Sequence, residues 1–196
     1  MLVNWPERFF CNSFVRRLIL GRHIGFLKAL SGLGSGARCL EIGCGNGNAA
    51  LHALTAFAPK SYYALDLDPD MLRRAAAKAG GHDRLFVLRG DAQALPFPEA
   101  GFDAVFNMGI IHHLEDWERG LAEVSRVLVP GGLFLFEEIY PALYAGPLLR
   151  AVVAHPRQNR FDGPRFRREL EAQGLNLLPG YRESPYTILG VARKGP

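Results

Sequence analysis

The chain has 196 residues, 48% of them hydrophobic, with a formal net charge of +4 and a calculated pI near 9.1. That is enough apolar material for one packed domain. No apolar run approaches the ~20 residues that cross a bilayer and no secretory start is apparent, so a cytoplasmic protein without integral membrane association is expected. Three cysteines, Cys11, Cys39 and Cys44, are too few and too poorly spaced for a zinc site or a disulfide framework, and no metal is expected.

In chain order, the first segment is residues 5–33, where Phe9, Phe10, Phe14, Leu18 and Ile19 recur at near-helical spacing with Arg16 and Arg17 on another side. It reads as a helical cap packed over a ligand cleft, and a basic amphipathic helix on anionic lipid is the alternative. A strand over residues 38–42 then runs into Leu40-Glu41-Ile42-Gly43-Cys44-Gly45-Asn46-Gly47-Asn48 and a following helix. Gly43, Gly45 and Gly47 let backbone approach a ligand and leave N–H groups free at the helix start, which suits a nucleotide-like cofactor. The spacing is Gly-x-Gly-x-Gly, with Asn48 where the dinucleotide fingerprint Gly-x-Gly-x-x-Gly needs its third glycine. Glu41 suits an amine-bearing ligand better than a pyrophosphate.

A second strand, 62–66, ends on Asp66, roughly 20 residues past the loop, where a carboxylate can accept hydrogen bonds from ribose hydroxyls. Asp68 and Asp70 fit the start of the next helix, through capping and its dipole. A third strand, 85–88, leads to Gly90-Asp91-Ala92, and a fourth, 104–107, to a loop carrying His112 and His113. Open α/β sheets bind ligands beyond the carboxyl ends of their strands, so this loop faces the chemistry. Adjacent histidines are expected to point in different directions. A helix over 119–128 is expected to stop sharply at Pro130-Gly131-Gly132 before a fifth strand, 133–137. Glu137 and Glu138 alternate sides of that strand, so at most one serves a given site. Residues 140–174 carry Arg150, Arg157, Arg160, Arg165, Arg167 and Arg168 among Tyr140, Tyr144 and Phe161. A closing hairpin is expected from 176–181 and 187–192 around Ser184-Pro185.

The glycine loop, Asp66, Gly90-Asp91-Ala92 and the segment after the fourth strand occur in the order and spacing of one family: the chain resembles a class I S-adenosylmethionine-dependent methyltransferase. The resemblance implies S-adenosylmethionine as cofactor, its methionine part held by Glu41, Gly43, Cys44, Gly45, Asn46 and Gly47. It implies that Asp66, with Leu67, binds ribose, that Asp91 accepts from the adenine amino group, and that the Ala92 N–H serves a ring nitrogen. Asn107 and Met108 would complete the cofactor surroundings. The fold implied is a single Rossmann-like, doubly wound α/β domain over residues 1–196. Its seven-stranded sheet is mostly parallel with an antiparallel last strand. Residues 1–33 form the helical cap, 37–138 the cofactor-binding core and 140–174 a substrate-side insertion.

Methyl transfer requires an aligned acceptor, exclusion of water, and a base where the acceptor carries a proton. His112, His113 and Glu138 are the candidates for that base, in that order. The Asn- or Asp-Pro-Pro-aromatic run of nucleobase amino-methylating enzymes is absent, since the chain reads Asn107-Met108-Gly109-Ile110, and no cysteine nucleophile follows the fourth strand. The pattern is most similar to quinone and small-metabolite methyltransferases. The expected partner is therefore a small-molecule acceptor, and the arginines suit a phosphate or carboxylate on it. Methylation of RNA is the alternative, which the pI keeps open and the modest net charge disfavours. A cofactor-binding protein without catalysis is a third reading; it would keep Glu41, Asp66 and Asp91 but lack an acceptor pocket beside His112.

Overall fold

The computed structural model describes Phe9, residues 12–144 and residues 158–196; Trp5, Phe10, Cys11, Arg150 and Arg157 lie outside these. The strands are β1 (Arg38–Ile42), β2 (Ser61–Asp66), β3 (Leu85–Arg89), β4 (Phe102–Met108), β5 (Leu128–Ile139), β6 (Leu175–Leu177), β7 (Arg182–Glu183) and β8 (Thr187–Lys194). The described α-helices are α1 (Phe14–Ser31), α2 (Asn48–Phe57), α3 (Pro69–Ala79), α4 (Trp117–Val127), α5 (Pro141–Tyr144) and α6 (Gly163–Ala172).

Strand order is β3-β2-β1-β4-β5-β8-β6, with β7 beside β8. Strands β1 to β5 pair in parallel, whereas β8 is antiparallel to β5, β6 and β7. The doubly wound sheet with an antiparallel last strand is thus present, and the two-residue β7 adds an eighth member to the expected seven. The order reverses between β1 and β4, which opens a crevice at their carboxyl ends.

Two apolar layers hold the sheet. Leu40, Ile42, Val105, Phe134 and Phe136 face α4 and α6, where Trp117, Leu121, Phe166 and Leu170 are buried. Cys39, Tyr62, Ala64, Phe106 and Leu135 face the other way, with Leu20, Ile24 and Leu27 of α1 and Ala50 and Ala53 of α2. Each such aliphatic or aromatic side chain contributes about 1.5–3 kcal/mol by leaving water. Helix starts follow local chemistry: Ser13, Asp68, Asp116 and Asp162 cap α1, α3, α4 and α6 by accepting from the backbone N–H of Arg16, Asp70, Arg119 and Arg165.

Three expectations are corrected. The aromatic stripe of the first segment does not pack inward: Phe14 and Leu18 are 70% and 55% exposed, and the buried face of α1 is Leu20, Ile24, Leu27 and Ser31. Pro130-Gly131-Gly132 does not precede β5 but lies within it, at a register shift against β4. Gly131 adopts φ 76°, and a side chain on Gly132 would meet the Val129 carbonyl at 2.8 Å, so the glycines let the strand bulge and continue. The hairpin partner of β8 ends at Leu177, because Gly180 (φ 93°) turns the chain and Arg182–Glu183 pairs with β8 instead. In the 140–174 region, α6 is a core helix with Phe166 and Leu170 buried.

Candidate active site

Strand β1 delivers the glycine loop to the crevice, and β2 ends beside it. The Cys44 N–H donates to the Leu65 carbonyl at 2.9 Å, and the Gly45 N–H to Asp66 Oδ2 at 2.7 Å. Asp66 Oδ1 accepts the Asp68 N–H at 2.9 Å, so this carboxylate organises the loop and the entry to α3 together. Burial pushes the Asp66 pKa up, against the pull of those backbone N–H groups. Gly43 (φ 65°) lies so close to the segment after β4 that an added Cβ would fall 2.4 Å from Ile110. Gly45 (φ 53°) faces open space, with no atom within 4 Å of an added Cβ. The loop is therefore closed on the β4 side and open at Gly45, as a backbone cradle for a ligand requires. Helix α2 begins on Gly47 without a side-chain cap, leaving its first N–H groups to the loop.

The other loop residues are engaged within the protein. Cys44 is buried with its thiol raised by desolvation, and Asn46 donates to Asn12 at 2.6 Å while accepting the Asn48 N–H. Glu41 is buried in the layer of Tyr62, whose hydroxyl donates to it at 3.2 Å. Burial pushes its pKa up to about 8, the Asp66 charge adds to the rise, and the Tyr62 bond partly offsets it. On the next strand Gly90 donates to the Asp66 carbonyl, which places Asp91 on the same edge, where it accepts from the Gln93 N–H at 2.9 Å. Ala92 is buried and Leu67 is 37% exposed.

Beyond β4 a second cluster forms. Glu138 Oε1 accepts from Asn107 Nδ2 and from the Ile111 N–H, each at 2.7 Å, and Oε2 lies 2.6 Å from His112 Nδ1. Burial raises Glu138 and lowers His112, so the imidazole is held neutral beside the carboxyl group. A short 3-10 turn, Ile111–His113, presents the ring, and Asn107 Oδ1 ties that turn back by accepting the Ile110 N–H at 2.9 Å. The His113 ring does not diverge from that of His112; their centroids are 4.2 Å apart and tilted by 39°, because the tight turn keeps both rings on one side. Asn107 thus serves Glu138 and its own loop in this arrangement.

On the opposite face of β5, Glu137 is met by α1. Arg16 Nη1 donates to its Oε1 at 2.9 Å, Arg16 Nη2 donates to the Met108 carbonyl at 3.0 Å, and His23 Nδ1 lies 3.0 Å from Oε2. Desolvation opposes the charge on Glu137, but His23 and Arg16 outweigh it and hold the carboxyl down to about 2. The sequence places Arg16 on another side from the apolar stripe but does not pair it with Glu137. The available signal was Arg16 and His23, seven residues apart and therefore on one helix face.

Residues 40–136 match the family model described as a methyltransferase domain. The chain belongs to the class I S-adenosylmethionine-dependent methyltransferases. S-adenosylmethionine is accordingly the family cofactor, and the open cradle at Gly45 with the Asp66 carboxylate beside it fits such a group. This methyltransferase chain is 40% identical over 146 residues to a fatty-acid O-methyltransferase of Mycolicibacterium smegmatis, covering 73% of this chain and 45% of that protein. It is 39% identical over 112 residues to a phthiotriol/phenolphthiotriol dimycocerosates methyltransferase of Mycobacterium leprae, covering 57% and 41%. The matched segments thus span less than half the length of either curated relative. A solved S-adenosylmethionine-dependent methyltransferase from Mesorhizobium loti shares the fold, with a TM-score of 0.71 at 24% identity over 86% of this chain and 95% of that one.

Proposed function

We propose that this protein transfers the methyl group of S-adenosylmethionine to an oxygen of a small lipid-like acceptor, and that the buried Asn107–Glu138–His112 cluster carries the reading. Glu41, Gly43, Cys44, Gly45, Asn46 and Gly47 would hold the methionine part, Asp66 and Leu67 the ribose, and Asp91 and Ala92 the adenine, with Asn107 and Met108 beside the reacting end. When bound, the cofactor supplies an electrophilic methyl group on a sulfonium. The chain's own residues do the rest: they orient the acceptor, exclude water and take a proton. Glu138 holds the ring through Nδ1 at 2.6 Å, and in the tautomer that donates from Nδ1 to the carboxylate, Nε2 is the basic nitrogen. Glu138 acts through His112 rather than on the acceptor.

The lipid-like acceptor is supported by the names of the two relatives and by the surroundings of His112. Its ring shares a small space with Tyr144, Trp117 and Phe161. That space adjoins, through Arg160 and Phe161, an open cleft of about 800 Å³ beyond β5, also lined by Tyr140, Gly163, Arg167 and Glu183. Such a volume lies in the range of small-molecule sites. Arg165 is bound to Glu118 and Asn159, and Arg167 to Glu183, which leaves these two cations less available to a nucleic acid. We further assign the whole of 1–196 to one methyltransferase domain within a protein of cytoplasmic location.

The test is transfer from labelled S-adenosylmethionine to long-chain acids and long-chain hydroxyl compounds. A hydroxyl acceptor needs a base, so His112→Ala should lower kcat by about 10²–10⁴-fold. A carboxylate is already anionic, so the same variant should lower kcat only several-fold while the KM rises. No transfer to either class, with transfer to RNA in their place, would overturn the proposal.

A further inference from the structure

The first half of α1 is apolar on the face it turns to solvent. Phe14, Val15 and Leu18 are 70, 59 and 55% exposed, and Phe9, just ahead of the helix, is 71% exposed. At 100° per residue, Phe14, Leu18, Arg22, Gly25 and Ala29 fall along one side, and all are exposed. Leu20, Ile24 and Leu27 lie on the opposite side and are buried. A helix that meets water on one face ordinarily places polar residues there. Here the exposed face carries aromatic and aliphatic side chains, and the cations stand around them.

The charge on α1 is of one sign. Its sequence FVRRLILGRHIGFLKALS has Arg16, Arg17, Arg22 and Lys28 and no aspartate or glutamate. Arg16 turns inward to Glu137 and Lys28 to the Leu33 carbonyl, whereas Arg17 and Arg22 are exposed beside the apolar side chains. We infer that this face, Phe14, Val15 and Leu18 with Arg17 and Arg22, docks on an anionic lipid bilayer. Apolar side chains enter the boundary between headgroups and acyl chains, and arginines meet the lipid phosphates. A second copy of this chain fits less well, because facing copies would bring the same arginines together. The Arg16 clasp fixes the helix to the Met108 carbonyl and Glu137, so docking would seat the carboxyl edge of β4 and β5 toward the bilayer. The inference stands on the exposure and charge of α1 and does not depend on the identity of the acceptor.

The experiment is co-sedimentation of the chain with vesicles of phosphatidylcholine mixed with phosphatidylglycerol, and with vesicles of phosphatidylcholine alone. Binding is expected to the mixed vesicles and to weaken as salt rises. Phe14→Ser combined with Leu18→Ser should reduce partitioning by about tenfold or more. Arg17→Ala and Arg22→Ala should each reduce it by about fivefold. Tyr186→Ser, at another exposed aromatic, should leave it unchanged. Circular dichroism checks that the variants keep their fold, and the two arginine variants test the face independently of the apolar pair. Failure to sediment with anionic vesicles, equal binding by the serine variant, or a Phe14-dependent dimer in ultracentrifugation would each overturn the inference, the last by assigning the face to a second copy.

Discussion

Asp66 shows how a residue readable as a ligand group is also structural. Its two oxygens already accept the N–H groups of Gly45 and Asp68, so its loss loosens the loop as well as removing an acceptor for ribose. Asp66→Ala should weaken S-adenosylmethionine binding by about 1.5–3 kcal/mol in calorimetry, with Asp66→Asn intermediate because one oxygen remains. Unchanged affinity in the alanine variant would contradict the ribose assignment. Glu41 gives a second test at this scale. Its carboxyl rises from 4.5 to about 8 on folding, so the native protein keeps a proton that the unfolded chain releases. Stability from this group is full below its unfolded value and declines as pH rises from 4.5 to about 8, at up to about 1.4 kcal/mol per pH unit. Urea unfolding of Glu41→Gln against the parent should show the gap shift in favour of the variant across that window. A constant gap would mean that Glu41 is ionised in the folded protein.

At the scale of elements, helix α1 is held by apolar packing at its centre and by one clasp near its start. The Arg16 and Glu137 side chains are only 14% and 8% exposed, so removing the cation strands a buried carboxylate. Arg16→Met should cost on the order of 3 kcal/mol, and adding Glu137→Gln should recover part of that loss. Denaturant unfolding of the single and double variants measures the coupling; additive losses would show that the two side chains do not depend on each other. Element positions were largely legible in the sequence. The strands at 38–42, 62–66 and 85–88 appear within a residue at either end, because apolar runs bounded by Gly, Pro and Asp mark them directly. The extent of β5 was not legible, since Pro130-Gly131-Gly132 ordinarily ends an element and only pairing with β4 carries the strand through it.

For the whole molecule, ligand linkage provides the broadest check. S-adenosylmethionine or its demethylated product at a hundred times its Kd should stabilise the fold by about 2.7 kcal/mol, raising the unfolding midpoint, and a dinucleotide should not. A larger shift with NAD would overturn the cofactor assignment. What the sequence determined by itself was the α/β alternation, the glycine loop and the carboxylates at the strand ends, because these depend on neighbours a few residues away. What tertiary structure decided was which faces those elements present. Arg16 turns inward because Glu137, 121 residues away in sequence, is buried without water to solvate it. His112 is neutral because the core around it desolvates the ring. The Phe14 and Leu18 face stays outside because Leu20, Ile24 and Leu27 fill the sites on α2 and the sheet. Helical periodicity announces an apolar stripe, but when a helix has two of them, only the shape and charge of the surface it meets select the one that is buried.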